Sequence, residues 1–108
     1  LRGFSNHKIV NILEHYKKCD ITHSLPFDFL KKIAKKVGFN ISGITTQGSF
    51  LKKLGIVERA EMVSKKMNFS DKANIYYRLE KLIGKQFMGD VFKVMLLTNN
   101  KTKFKIGF

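Results

Sequence analysis

Two of the three histidines and the single cysteine of this sequence are spaced four residues apart, at His15, Cys19 and His23. On a continuous α-helix this spacing would place all three on one face, where imidazole and thiolate could bind Zn²⁺. A closed zinc site needs four ligands, and no fourth is spaced nearby. The turn-forming segment from Asp20 to Pro26 also opposes a continuous helix. We therefore interpret the spacing as chance and predict no metal site.

The sequence contains no recognisable pattern for catalysis by a cysteine or by a pair of carboxylates. A Cys19 nucleophile would need a histidine base beside it in space, and the sequence alone does not show such a pair. The eight acidic residues are scattered, so no paired general acid and base is indicated. Because Cys19 is the only cysteine, an internal disulfide is excluded and the chain suits a reducing compartment.

A cluster of capping residues lies between Thr45 and Ile56, which we call the Thr45–Ile56 corner. Residues 39–45 alternate apolar with small or polar side chains, as in a strand, whereas the apolar residues from Phe50 to Leu54 recur at helical spacing. The hydroxyl and amide groups between them can cap a helix start. Free amides there could also hold an anion, but ordinary capping is favoured, and the glycines match no nucleotide-binding fingerprint.

Hydrophobic periodicity predicts an α+β arrangement. Helices are predicted over residues 8–18, from Phe29 to Val37 with a glycine cap, from Phe50 towards Met67 with an interruption at Gly55, and from Ser70 as the cap to Ile83. Strands are predicted over residues 39–45 and 91–98, the second buried on both faces, and over a closing hairpin at 104–108.

The length of 108 residues suits one domain. We predict a single domain over residues 1–108, with an irregular entry segment at 1–28, helices and strands at 29–98 and a hairpin tail at 99–108. A hydrophobic fraction of 44% supplies enough apolar material for a core. No apolar run approaches membrane-spanning length, and no signal peptide is recognisable.

The charge balance of 21 basic to 8 acidic residues, a net charge of +13, is the strongest compositional signal. Lysine pairs recur at residues 17–18, 31–32, 35–36, 52–53 and 65–66, mostly in segments with helical periodicity. This pattern favours the solvated faces of amphipathic helices over a dedicated polyanion site. Non-specific attraction to polyanions follows in either case.

The residues of the Thr45–Ile56 corner resemble those of a known protein family. The sequence reads TQGSFL at Thr46–Leu51, LGI at Leu54–Ile56 and ER at Glu58–Arg59. This resembles the TQG-x-FL…LGI…ER signature of the MidA-like S-adenosylmethionine-dependent methyltransferases. Further pieces in the same order are Leu1–Phe4 with Asn6–His7, Asp20–Thr22 and Met88–Val94, so the likeness extends to about residue 98.

The resemblance implies that the chain is the C-terminal portion of a class I, Rossmann-like methyltransferase. Residues 39–45 would be its sixth strand, residues 91–98 its seventh, and the helices between them a family-specific cap. The glycine-rich cofactor loop and the acidic ribose-binding residue of the family would lie upstream of this chain. S-adenosylmethionine is therefore expected in the intact family, with methyl transfer to a protein arginine, but not on this chain alone, which is expected to be inactive.

For the site, the resemblance suggests Asp20, Thr22 and His23 near the catalytic face and Gln47 in substrate binding. All four could equally be turn and cap residues. Expected partners are a protein substrate, a missing N-terminal half, or a second copy that pairs with the unpaired edge of the seventh strand, and no membrane. The expected location is the bacterial cytoplasm, or the mitochondrial matrix in a eukaryote. The alternative function is a non-enzymatic basic module that binds nucleic acid or an acidic protein.

Overall fold

The computed structural model describes residues 1–99 and 105–108. It divides into two compact units, Leu1–Lys31 and Lys32–Phe108, which we call the N-terminal unit and the C-terminal unit. The single domain predicted over residues 1–108 stays a prediction. Among the described residues, none of the helices combines the length and apolar character needed to span a bilayer.

The N-terminal unit is built on a three-stranded antiparallel sheet in the order β2-β1-β3. Its strands are β1 (Arg2–Ser5), β2 (Lys8–Val10) and β3 (Asp20–Thr22). Asn6 and His7 join β1 to β2 with φ angles of 49° and 61°, the left-handed values that the commonest two-residue hairpin turn requires. A β-carbon on Gly3 would lie 2.9 Å from the Val10 carbonyl oxygen, so glycine permits the close approach of the two strands.

Two predictions for this unit are wrong. Residues 1–28 contain three strands instead of an irregular entry segment, and residues 8–18 form β2 and a series of turns instead of a helix. Asn11 gives part of the reason, because its Oδ1 accepts from the Leu13 amide at 3.0 Å. Such a local bond competes with the helical one. A helix would also have gained little from packing, since Leu13 stays 86% exposed.

The predicted helix from Phe29 to Val37 is confirmed as α1 (Phe27–Lys36). Gly38 follows it with a φ of 89°, the left-handed conformation that glycine adopts after a helix. The Phe39 amide donates to the Ala34 carbonyl at 2.8 Å, which satisfies one of the carbonyls left open at the helix end. The chain can therefore turn directly into β4 (Asn40–Thr46), which confirms the strand predicted at residues 39–45.

The sheet of the C-terminal unit consists of β4 and the antiparallel β5 (Lys93–Thr98). Their register runs from the pair Asn40–Thr98 to the pair Thr46–Lys93, with a bulge between Ile41 and Gly43. β5 confirms most of the strand predicted at residues 91–98, but it is half-buried instead of buried on both faces. Among the described residues only β4 pairs with it, and none of its residues is fully buried.

The last residue, Phe108, packs against this sheet. The Phe108 ring lies so close to Gly43 that a β-carbon there would overlap it, and it meets the Phe50 ring edge-on with 5.3 Å between the centroids. Residues 106–107 form a turn, with the Phe108 amide donating to the Lys105 carbonyl at 3.2 Å. The hairpin strand predicted at 104–108 is therefore wrong for these last residues, and the rest of the predicted hairpin, at 100–104, lies outside the described residues.

Four helices complete the C-terminal unit: α2 (Gln47–Lys53), α3 (Ile56–Ser64), α4 (Phe69–Ile83) and α5 (Met88–Val91). Gly55, with a φ of 80°, separates α2 from α3 as predicted. The N-cap of α4 is Asn68, whose Oδ1 accepts from the Asp71 amide at 2.9 Å, and not the predicted Ser70. An Asn two residues upstream serves equally well as a cap, so the helix begins earlier.

The hydrophobic core of the C-terminal unit lies between α3 and α4. It consists of Ala60, Leu79 and Ile83 and is surrounded by partly buried Leu51, Ile56, Val57 and Ile75. Many large apolar side chains stay open to solvent, among them Val91 at 71% and Val37 at 63% exposure. Nine of the ten paired lysines are exposed and Lys31 is half-buried, as expected for solvated helix faces.

Candidate functional site

The Thr45–Ile56 corner joins β4 to α2, as the sequence predicts. Thr46 is the N-cap, and its Oγ1 accepts from the Ser49 amide at 3.3 Å. The Gln47 amide donates to the Phe92 carbonyl at 2.9 Å. Two of the amides that could have held an anion are thus engaged within the fold, which supports capping as their role.

Gln47 ties the beginning of α2 to the end of α4. Its Nε2 donates to the Leu82 carbonyl at 2.9 Å, and Leu82 lies in the last turn of α4, where carbonyls lack intrahelical partners. The side chain therefore has a structural partner 35 residues away in sequence. A role for Gln47 in substrate binding stays a prediction.

Two buried glycines meet at the end of α4. A β-carbon on Gly48 would lie 2.7 Å from the Ile83 carbonyl oxygen and 3.2 Å from the Gly89 Cα, and one on Gly89 would overlap that same Ile83 carbonyl. Because these neighbours are backbone atoms, only glycine fits at either position. The TQG and MGD parts of the signature thus contact each other, a role for Gly89 that the sequence reasoning missed.

The other three predicted site residues lie together in the N-terminal unit. Asp20 and Thr22 are the two ends of β3, so their side chains point to the same side of the strand. His23 follows directly, and its Nδ1 donates to the Ser24 carbonyl at 2.8 Å. All three are exposed. The structure thus places Asp20 and Thr22 on one short edge strand and His23 directly after it, while Gln47 belongs to the other unit.

Potential metal ligands do not form a cluster in the part of the chain that the structure describes. His15, the first residue of the spaced histidine and cysteine set, has its Nδ1 3.3 Å from the Asn11 carbonyl oxygen. Cys19 is a half-buried free thiol. The segment between His15 and Cys19 consists of turns, so the helical face on which a zinc site would depend is missing.

Comparison with known proteins finds a curated relative that this chain matches over part of that relative's length. Over 98 residues the chain is 32% identical to "Protein arginine methyltransferase NDUFAF7, mitochondrial" from Danio rerio, a match that spans 91% of this chain and 23% of the relative. The predicted resemblance to the MidA-like methyltransferases is confirmed over this part of their length. No protein-family model matches it.

A solved structure shares the fold of this chain. It is a COG1565 superfamily member from Burkholderia thailandensis bound to S-adenosyl-homocysteine, with a TM-score of 0.77 and 23% identity. The match covers 90% of this chain and 25% of the other. The chain therefore spans about a quarter of the length of both proteins. The predicted α+β fold is confirmed, and the partial coverage fits the predicted C-terminal portion of a methyltransferase.

Proposed function

We propose that this chain is the C-terminal segment of an S-adenosylmethionine-dependent protein arginine methyltransferase and is inactive without a cofactor-binding half. The observation that carries the proposal is the structural match, which places 90% of this chain on a quarter of a protein that holds S-adenosyl-homocysteine. The name of the zebrafish relative supports a protein arginine as the substrate. Its mitochondrial designation supports a mitochondrial location in a eukaryote.

The Thr45–Ile56 corner is not built like a cofactor-binding loop. A cofactor loop of the dinucleotide-binding type uses glycine so that the ligand can approach the backbone. At this corner the space beside Gly48 is filled by the Ile83 carbonyl and Gly89. The glycine therefore serves helix packing, and we derive no catalytic step through S-adenosylmethionine on these residues.

The unpaired edge of β5 and the exposed apolar side chains of the C-terminal unit support a missing half. Among the described residues β5 pairs only with β4, and an open strand edge tends to pair with another chain. Phe92, which precedes β5, is 51% exposed. In the proposed enzyme a strand of the cofactor-binding half covers this edge, and pairing with a second copy is the alternative.

Asp20, Thr22 and His23 are the proposed substrate-facing residues. An Asp20 carboxylate can form charge-assisted hydrogen bonds with the guanidinium group of an arginine substrate. The hydroxyl of Thr22 lies on the same side of β3 and can add a neutral hydrogen bond. In this proposal the residues bind and orient the substrate, while the other half supplies the methyl donor.

A chimera tests the proposal. The segment of the zebrafish relative that matches this chain is replaced by the chain, and S-adenosylmethionine binding and methylation of protein arginine are measured. The chimera is expected to bind the cofactor and to transfer methyl groups, whereas the relative without its matching segment does neither. A chimera that folds and binds cofactor but never methylates arginine would contradict the proposed substrate.

The same chimera tests Asp20, the charged member of the three candidate residues. Asp20→Asn should lower the rate of methyl transfer by about 10-fold or more, as expected when a charge-assisted bond is lost, and should leave cofactor binding unchanged. The matched control is Asp71→Asn, which makes the same chemical change on α4. Equal rates in the two variants would remove Asp20 from the substrate site.

The exposed lysines favour a second candidate, a basic module that attracts polyanions. The net charge of +13 and the solvated lysine faces support non-specific attraction. The paired lysines lie in the turns before β3, on α1, on α2 and directly after α3. Because they are spread over several elements of both units, the methyltransferase proposal is favoured. The binding of duplex DNA should weaken steeply as salt is added.

A further inference from the structure

A groove of about 410 Å³ lies between α3 and α4. Its apolar lining comes from one helical stripe on each side. On the α3 side these residues are Ile56, Ala60, Val63 and Met67, and on the α4 side they are Ile75, Leu79 and Leu82. Val63 is 46% exposed, so the apolar surface is open to a partner. Ile56 and Arg59 of the lining belong to the methyltransferase signature, but the proposed function assigns this groove no role.

Two arginines flank the apolar lining, one on each helix. Arg59 belongs to α3 and Arg78 to α4, and they are two of the three arginines in the sequence. Within the described residues neither forms an ion pair. Arg78 donates from Nε to the Asn74 Oδ1 at 3.1 Å, which leaves its charge uncompensated.

The single carboxylate at the groove is already engaged. Asp71 Oδ2 accepts from Asn68 Nδ2 at 2.9 Å, and the Asp71 amide donates to the Asn68 Oδ1 at the same distance. These bonds hold the Asp71 side chain at the cap of α4. Neither arginine receives an ion pair from it. Because two guanidinium groups face one carboxylate, the rim of the groove carries a net positive charge.

We propose that this groove binds an acidic amphipathic helix of a separate partner protein. A helix places apolar residues at intervals of three and four on one face, and such a row fits an apolar groove between two helices. Glutamate or aspartate beside that row would reach the two guanidinium groups, whose planar fork matches a carboxylate. This inference rests on the groove alone and is independent of the proposed catalytic role.

Charge complementarity selects this occupant over the alternatives. A second copy of the chain would carry the same charge of +13 and, in a symmetric dimer, would bring its own Arg59 and Arg78 towards the first pair. An arginine side chain of a methylation substrate is a cation and would be repelled by the same rim. A helix with carboxylates along its apolar row satisfies both the lining and the rim.

The binding test uses a designed fluorescent peptide of about 18 residues, or five helical turns. It carries leucines at positions i, i+4, i+7 and i+11 and glutamates flanking them, and fluorescence anisotropy measures its binding to the full chain at physiological ionic strength. One control peptide has lysine for each glutamate, and another has serine for each leucine. Binding should require both the leucines and the glutamates.

Matched variants separate the groove from the overall charge. Arg59→Glu and Arg78→Glu should each weaken binding by about 10-fold or more, whereas Lys35→Glu, the same charge change on α1, should change it by less than about 3-fold. Met67→Ser should weaken binding, while Met62→Ser, on α3 outside the groove, should not. Circular dichroism of each variant verifies the fold.

Four results would overturn the proposal. Equal losses for Lys35→Glu and Arg59→Glu would show non-specific attraction, and an absence of binding by the unmodified chain would reject the site. A dimer in light scattering that Arg59→Glu strengthens would make a second copy the occupant. If the chain binds the peptide but the chimera does not, the groove is covered by the rest of the enzyme and no separate partner is needed.

Discussion

Substitution of Gly89 by alanine is expected to lower the free energy of unfolding of the chain by about 3 kcal/mol, at the upper end of overpacking costs. The new β-carbon would overlap the Ile83 carbonyl and would lie 2.7 Å from the Gly84 carbonyl oxygen. Both are backbone atoms at the end of α4, which cannot swing aside as a side chain can. Gly48→Ala meets the same Ile83 oxygen at 2.7 Å, and we expect a loss of about 2 kcal/mol.

Urea unfolding followed by circular dichroism measures these losses. The control is Gly38→Ala, because no atom lies within 4 Å of a β-carbon there and its φ is 89°. The control should cost about 1 kcal/mol, from backbone strain alone. A Gly89→Ala loss no larger than that of the control would mean that the contact between the two signature glycines does not hold α2, α4 and α5 together.

Truncation of Leu79 should also be costly, with a loss of about 2–4 kcal/mol in the free energy of unfolding. Leu79 is 9% exposed and packs with Ala60 and Ile83 in the only buried hydrophobic cluster found among the described residues. Leu79→Ala leaves a cavity that small neighbours such as Ala60 cannot fill. Because a small domain has about 5 kcal/mol to spare at the low end, this variant should approach unfolding at ambient temperature.

The matched control for Leu79 is Met62→Ala. Met62 is 78% exposed on α3, so its truncation should change the free energy of unfolding by less than about 0.5 kcal/mol. Thermal unfolding of both variants provides the comparison. Similar losses at the two positions would place the core of the C-terminal unit elsewhere than between α3 and α4.

The local signals of the C-terminal unit were readable from sequence. The apolar stripe ending at Gly38 predicts α1, the alternation over residues 39–45 predicts β4, and the hydroxyl and amide groups of the corner predict a capped helix start. Each of these signals depends on neighbours within a few residues. The same reasoning gives wrong predictions for the N-terminal unit. Its apolar residues have a helical spacing by coincidence, and the Asn6-His7 turn lacks the glycine that usually indicates a hairpin.

The contacts that organise the candidate site could not be predicted in this way. The hydrogen bond from Gln47 to Leu82 and the approach of Gly48 to Gly89 join residues that are far apart in sequence. A single sequence does not show which distant residues are in contact. The family resemblance indicated that these glycines matter but not why. In the structure each serves the close packing of helix ends.

Calorimetry of the chain alone with S-adenosylmethionine tests most directly the claim that this is a methyltransferase segment without a cofactor site. The chimera serves as the positive control. We expect no heat of binding from the chain under conditions in which the chimera binds, because the signature corner uses its glycine for packing and not for a cofactor cradle. Stoichiometric binding by the chain alone, with an affinity comparable to that of the chimera, would contradict this claim.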